Sequence, residues 1–204
     1  LPTCEPSGPP LRVSGPDRSR PLVAICLATY NPPLELFTRQ IESLIGQAYT
    51  NWIGIISDDW SSPAVYEQVC AIAQRDPRFH VRRPPQHLGF YANFEHCLFL
   101  VPPEADLVAL CDQDDYWHRD KLDTLLAAFR PGTTLVYSDM NIADDCGRIL
   151  SPTYWSTRRN NYTSFASLLL ANTITGAACM FRRRLLETLL PFPRTPGAPY
   201  HDHW

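Results

Sequence analysis

The run Leu22-Val23-Ala24-Ile25-Cys26-Leu27-Ala28 contains no charged or hydrogen-bonding polar side chain apart from one thiol. A short, partly β-branched run of this kind fits a strand buried on both faces. It ends at Thr29-Tyr30-Asn31-Pro32-Pro33, where two prolines stop the strand and open a turn. The period then changes. Leu34, Phe37, Ile41, Leu44 and Ile45 share one helical face, and Gly46 is a plausible stop. A second strand is expected over 52–57, ending at Asp58-Asp59, followed by a helix over 64–74 and a short strand over 79–82. A helix over 91–100 leads into Leu107-Val108-Ala109-Leu110-Cys111, another buried strand, which ends at Asp112-Gln113-Asp114-Asp115. Strands alternating with helices predict an α/β domain with a mostly parallel central sheet flanked by helices.

Beyond Asp115 the pattern loosens. Helices are expected over 121–129, 165–171 and 184–190, strands over 134–138 and 177–181, and a hairpin through Asp144-Asp145-Cys146-Gly147. Residues 1–21 hold six prolines without apolar periodicity and read as a flexible lead-in, so the folded domain is expected over 22–204. The last element has no evident end at Trp204, which points to a domain truncated at its C-terminus.

In parallel α/β sheets ligands bind outside the carboxyl ends of the strands. Thr29 to Asn31, Asp58-Asp59 and Asp112 to Asp115 all fall there, and this shared address says more than any one cluster. Three carboxylates within four residues repel unless a cation compensates. Hard oxygen ligands suit Mg2+ or Mn2+, which combine one or two carboxylates with substrate phosphate oxygens. The plainer reading is a solvated acidic turn capping a helix that begins near Trp117; the preceding buried strand favours metal binding. Asp58 or Asp59 suits a base N–H or ribose hydroxyls, or equally an N-cap for the next helix. Arg182-Arg183-Arg184 reads as a solvated helix start, and Tyr154-Trp155 fits a sugar ring or packing equally. His201-Asp202-His203-Trp204 offers a carboxylate general base, or an exposed tail without a role.

Composition narrows the classes. The chain has 204 residues, 45% hydrophobic and 19% charged, enough for a packed core. A formal net charge of −3 excludes a nucleic-acid binder held by a basic face. Seven cysteines, without a CxxC pair, read as small hydrophobes in a reducing compartment. No apolar stretch reaches the ~18 residues of a membrane span, and no signal-peptide pattern opens the chain. The domain is therefore placed in the cytoplasm, with a position peripheral to the inner membrane face left open.

These segments together resemble family 2 glycosyltransferases of the glycosyltransferase-A fold, over roughly 21–204. The carriers are Ala28-Thr29-Tyr30-Asn31, Gln47-Ala48-Tyr49-Thr50-Asn51-Trp52, Ser57-Asp58-Asp59-Trp60-Ser61, Leu88-Gly89-Phe90 with Asn93-Phe94, Asp112-Gln113-Asp114-Asp115-Tyr116-Trp117, Thr175-Gly176-Ala177 and His201-Asp202-His203-Trp204. The Asp-Gln-Asp-Asp-x-Trp form and the His-Asp-x-Trp ending are most similar to the bacterial rhamnosyltransferase-like branch. The resemblance implies that Thr29, Tyr30, Asn31, Asp58, Asp59, Gly89, Asn93, Asp112 and Gln113 bind the donor. It implies that Asp112 and Asp114 hold the metal, that Gly176 and Trp204 lie on the acceptor side, and that Asp202 is the general base. The implied reaction is an inverting transfer from a nucleoside-diphosphate sugar, dTDP-rhamnose or a UDP-sugar, to a glycan or lipid-linked glycan. His87 departs from the asparagine that often precedes the Leu-Gly pair. A sugar nucleotidyltransferase would prefer a Gly-rich basic loop after the first strand, and this chain has none. A non-catalytic nucleotide-sugar-binding module would be favoured by loss of the acidic pair or Asp202, and both are present.

Overall fold

The computed structural model describes Leu11, residues 19–156, Ser164, Ala166 and residues 172–193. Strands β1 (Val23–Thr29), β2 (Trp52–Asp58), β3 (Phe79–Arg82) and β4 (Leu107–Cys111) alternate with helices α1 (Leu34–Ile45), α2 (Pro63–Ala73) and α3 (Phe90–Phe99). After helix α4 (Lys121–Ala128) come β5 (Leu135–Tyr137), β6 (Ile142–Ala143), β7 (Ile149–Ser151), a 3-10 turn (Gly176–Ala178) and β8 (Cys179–Arg182). A second 3-10 turn (Arg183–Leu185) runs into a short helix α5 (Leu186–Leu189).

The main sheet has the order β3-β2-β1-β4-β8-β5. Its first four strands are parallel, and β8 runs antiparallel to both β4 and β5. The mostly parallel sheet expected from strand-helix alternation is therefore present, with an antiparallel edge. The β6–β7 pair is the expected hairpin.

Side chains alternate across a strand, so β1 serves two cores. Val23, Ile25 and Leu27 face Phe37, Ile41 and Leu44 of α1 and Leu122 and Leu125 of α4. Ala24 and Cys26 face Phe94, Cys97 and Leu98 of α3. Both faces are covered, which is why the strand sequence is apolar throughout. Cys26, Cys97, Cys111 and Cys179 are buried in these cores as small apolar side chains.

Gly54 in β2 lies opposite Phe79 in β3. A Cβ at Gly54 would come within 2.2 Å of the Phe79 ring, which itself rests 5.3 Å from Trp52. Gly54→Ala is therefore expected to destabilise the chain by about 1–3 kcal/mol through overpacking. A urea midpoint unchanged from wild type would refute this.

Several expected boundaries move for physical reasons. Gly46 ends α1, but at φ −76° rather than in a left-handed cap. Gln47 takes over there, its side-chain N–H reaching the carbonyls of Ser43 (3.1 Å) and His118 (2.9 Å). The helix expected over 121–129 does start at Lys121; the alternative start near Trp117 is ruled out because Trp117 is buried against α1 and its N–H is held by the Ser43 hydroxyl. The helix expected over 184–190 is only α5 preceded by a 3-10 turn. The one expected over 165–171 lies almost wholly outside the described residues. Among the described residues of the lead-in, Leu11 is buried and its N–H bonds the Leu100 carbonyl, and the Arg20 and Pro21 carbonyls accept from Asn51 and Tyr49.

Candidate functional site

Register brings the three polar clusters together. Thr29 lies opposite Asp58, and Leu27 opposite Cys111, so the chain leaves β1, β2 and β4 side by side. Adjacent strands lie ~4.8 Å apart, which sets the spacing of their exits. Side chains then tie the exits together. The Gln113 side-chain carbonyl accepts from the Thr29 hydroxyl and the Tyr30 N–H, both at 2.9 Å. Asn31, at φ +40°, gives its N–H to the Ser61 hydroxyl (2.7 Å) and accepts the Ser62 N–H (2.9 Å). Asparagine is one of the few residues that tolerates that backbone region. Thr29 and the Gln113 carbonyl are thus spent on joining β1 to β4, while Tyr30, 50% exposed, faces outward.

The two carboxylates after β2 do not cap α2, whose N-cap is Ser62. Asp58 is fully buried. Its Oδ1 accepts from Arg83 Nε (2.9 Å), Arg83 Nη2 (2.6 Å) and the Ser61 N–H (3.1 Å), and its other oxygen accepts the Ser61 hydroxyl. Asp58, expected with Asp59 to hold a base or ribose, here has its carboxylate paired with Arg83. The half-buried partner is the Arg83 guanidinium, which lies 3.7 Å over the Tyr66 ring and 5.6 Å from Trp60. Asp59, also buried, accepts the N–H groups of Leu88 (2.6 Å) and Gly89 (2.8 Å) and stands 3.0 Å from His87 Nδ1. Burial raises its pKa, and those two N–H bonds and His87 oppose the rise. Asp58 and Asp59 together therefore fold the segment 83–89 over the ends of β1 and β2.

An aromatic rim results. His87 packs at a tilt against Tyr30, with ring centroids 4.9 Å apart. Trp60, 47% exposed and at φ +66°, donates its indole N–H to the Pro84 carbonyl at 2.9 Å. Gly89, at φ +81° with open space around it, is the N-cap of α3. Sequence reasoning missed Arg83 and Trp60. The signal for Arg83 was a basic pair, Arg82-Arg83, straddling the end of a short strand before two prolines.

Asn93, expected as a donor contact, is tied to the strand ends in this structure. It is buried, its amide N–H groups donate to the Ser57 (2.9 Å) and Thr29 (3.4 Å) carbonyls, and its oxygen accepts the Ser57 hydroxyl (2.6 Å). It holds the floor of the site. The Ser57 oxygen also lies 2.7 Å from His96 Nδ1. Because the Ser57 proton goes to Asn93, His96 donates from Nδ1 as a neutral ring. Burial lowers the His96 pKa below 6.5. The unfolded chain then binds more protons as pH falls below 6.5, so stability present above that value is lost as pH drops through the folded pKa. The urea midpoint of the wild type is expected to fall from pH 7 toward pH 5, and His96→Gln to flatten that fall. Equal pH dependence in both proteins would contradict this.

After β4, Asp114 is exposed, whereas Asp112, Gln113 and Asp115 are half-buried. Burial raises the Asp115 pKa, with Asp114 adding to the rise and Lys121 opposing it. Lys121, the first residue of α4, donates from Nζ to the Ala177 carbonyl at 2.6 Å, and its ammonium lies 3.9 Å over the Trp117 ring. Burial lowers its pKa, while Cys111, Asp115, Cys179 and Asp112 oppose that. Gly176 is buried in the 3-10 turn beside β4. Among the described residues no three His, Cys, Asp or Glu groups form a dedicated metal cage. Asp112 and Asp114 are the loop carboxylates that could join phosphate oxygens in holding a divalent ion.

The remaining candidates separate by packing. Trp155 is a packing residue, with its indole N–H on the Thr173 carbonyl (3.1 Å) and its ring edge-on to Tyr137. Tyr154 is exposed. Arg182 donates to the Thr133 carbonyl and Arg183 pairs with Glu187. Asp202 and Trp204 lie outside the described residues. No helix among the described residues is long and apolar enough to cross a membrane.

Comparison with known proteins bears on the family and the fold. The model of Glycosyl transferase family 2 matches residues 24–190. WcaA of Escherichia coli strain K12, named as a colanic acid biosynthesis glycosyl transferase, is 25% identical over 178 residues, covering 85% of this chain and 63% of WcaA. TuaG of Bacillus subtilis strain 168, named as a teichuronic acid biosynthesis glycosyltransferase, is 28% identical over 107 residues, covering 52% of this chain and 41% of TuaG. The chain thus spans less than two thirds of either relative. Among solved structures, the mannosyltransferase PcManGT from Pyrobaculum calidifontis, in complex with GDP-Man and Mn2+, superposes with a TM-score of 0.61 at 18% identity, over 88% of this chain and 50% of that one. S. aureus TarS in complex with UDP-GlcNAc gives 0.63 at 16% identity, over 83% of this chain and 47% of that one.

Proposed function

We propose, from the premise that this chain belongs to glycosyl transferase family 2 and has the glycosyltransferase-A fold, that it moves a sugar from a nucleoside-diphosphate donor to a hydroxyl of a glycan acceptor. The setting is synthesis of a bacterial surface polysaccharide, the field for which WcaA and TuaG are named. One observation carries the reading: Gln113 and Asn31 lock the exits of β1, β2 and β4 together beside Arg83, with Asp112 and Asp114 at the same sheet end.

In this reading Tyr30 and Arg83 meet the nucleotide, and Asp58 and Asp59 hold Arg83 and the 83–89 segment in place. Asp112 and Asp114 would hold Mg2+ or Mn2+, which when bound neutralises charge on the departing diphosphate. Asp202 takes the acceptor proton. The acceptor oxygen then bonds the anomeric carbon as the bond to the diphosphate breaks, and configuration inverts. The donor is dTDP-rhamnose or a UDP-sugar.

The test uses the full-length protein with UDP-, dTDP- and GDP-linked sugars and Mn2+. One donor class is expected to release its nucleoside diphosphate in the presence of acceptor; release from none, with no binding of any, would end the reading. Asp202→Asn is expected to cut kcat by about 10²–10⁴-fold while donor affinity stays unchanged. Equal loss of both would remove Asp202 as the base.

A further inference from the structure

Lys121 is poorly placed for a lysine. It opens α4, where the helix dipole disfavours a cation, and its side chain turns inward instead of into water. Its Nζ donates to the Ala177 carbonyl at 2.6 Å and lies 3.9 Å over the Trp117 ring. Two segments meet at this one group. Trp117 ends the Asp112-Gln113-Asp114-Asp115-Tyr116-Trp117 loop that leaves β4, and Ala177 is the centre of the Gly176–Ala178 turn that enters β8. β4 and β8 pair only from Leu107 to Ala109, so their ladder stops short of both segments. Beyond it, the ammonium touches loop and turn at once.

We propose that Lys121 is a positioning residue that clamps the acidic loop to the Gly176–Ala178 turn. It thereby fixes the donor's diphosphate relative to the acceptor side. This rests on the proposed transferase reading for its catalytic consequence, but not for the clamp itself. The Trp117 face and the Ala177 carbonyl together recognise an ammonium, and a methylene chain of the same length satisfies neither. The loop's carboxylates gain from the same cation: Asp115 and Asp112 both favour the charged lysine. A methionine would fill the volume and lose both contacts.

The experiment compares wild type, Lys121→Met and Lys121→Arg in the full-length protein. Amide hydrogen exchange is read segment by segment, and steady-state kinetics are read for donor and acceptor. In Lys121→Met, exchange over 112–117 and 176–178 is expected to rise at least tenfold, with β1 and β2 unchanged. The kcat should fall by about 100-fold, as expected for a misplaced reacting group, with donor KM unchanged. Lys121→Arg should recover part of both effects. Unchanged exchange in those two segments, or a uniform rise across the sheet, would overturn the clamp. A local rise with unchanged kcat would overturn the positioning role. If the wild type transfers no sugar, the proposed function fails while hydrogen exchange still decides the clamp.

Discussion

Asp114→Ala is expected to abolish the rise in melting temperature that a nucleoside diphosphate with Mn2+ gives the wild-type chain. A ligand at 100 times its Kd stabilises the folded state by about 2.7 kcal/mol. For a domain of this size each kcal/mol is worth about 2–4 °C. The wild-type shift should therefore be roughly 5–11 °C. Asp114 is exposed, so its truncation should leave the melting temperature without ligand nearly unchanged. That separates loss of binding from loss of fold. A shift that survives in Asp114→Ala would move the metal and diphosphate away from this loop.

The second large effect concerns Arg83. Its guanidinium is the charged partner of a carboxylate that no water reaches: the Asp58 side chain is 0% exposed and that of Arg83 is 22% exposed. Arg83→Ala leaves Asp58 buried with only Ser61 as donor. Breaking a buried pair on one side typically costs about 3–5 kcal/mol, and the partial exposure of Arg83 argues for the lower end. Nucleotide affinity should fall as well, because the Tyr30–His87 rim and segment 83–89 are built on the same anchor. The double variant Asp58→Asn/Arg83→Met should lose less than the two single changes summed, since it removes the stranded charge. Urea unfolding checks both. A loss below about 1 kcal/mol in Arg83→Ala would place the pair among surface ion pairs.

These predictions differ in how far the sequence foreshadowed them. The limits of β1, α1 and β3 follow almost residue by residue from hydrophobic period and proline placement, because each element covers or fills a core whose periodicity is local. The meeting of Thr29, Asp58 and Asp112 at one sheet end was equally readable, since parallel strands put all their carboxyl ends together. What the pattern could not reveal was where each polar side chain is spent. Asp58 is claimed by Arg83, 25 residues on, and Asn93 by backbone carbonyls of β1 and β2. Those pairings depend on how segment 83–89 and α3 fold back over the strands, and no local period records that. Lys121 shows the same thing. A lysine opening a helix reads as solvated, and only the return of the chain at Ala177 turns it inward. Trp60 sits at a positive φ that sequence rules assign to glycine or asparagine, and its anchor at Pro84 is again supplied from another segment.

The central claim is that the exits of β1, β2 and β4 form one site for a divalent ion and an activated sugar. Crystals of the full-length protein grown with Mn2+ and a nucleoside diphosphate test it directly, through anomalous scattering at the manganese edge. The account predicts one strong peak coordinated by Asp112 or Asp114 and by diphosphate oxygens, with the base on the Tyr30 and Arg83 side. A peak on another face of the sheet, or a nucleotide bound away from these strand ends, would contradict it.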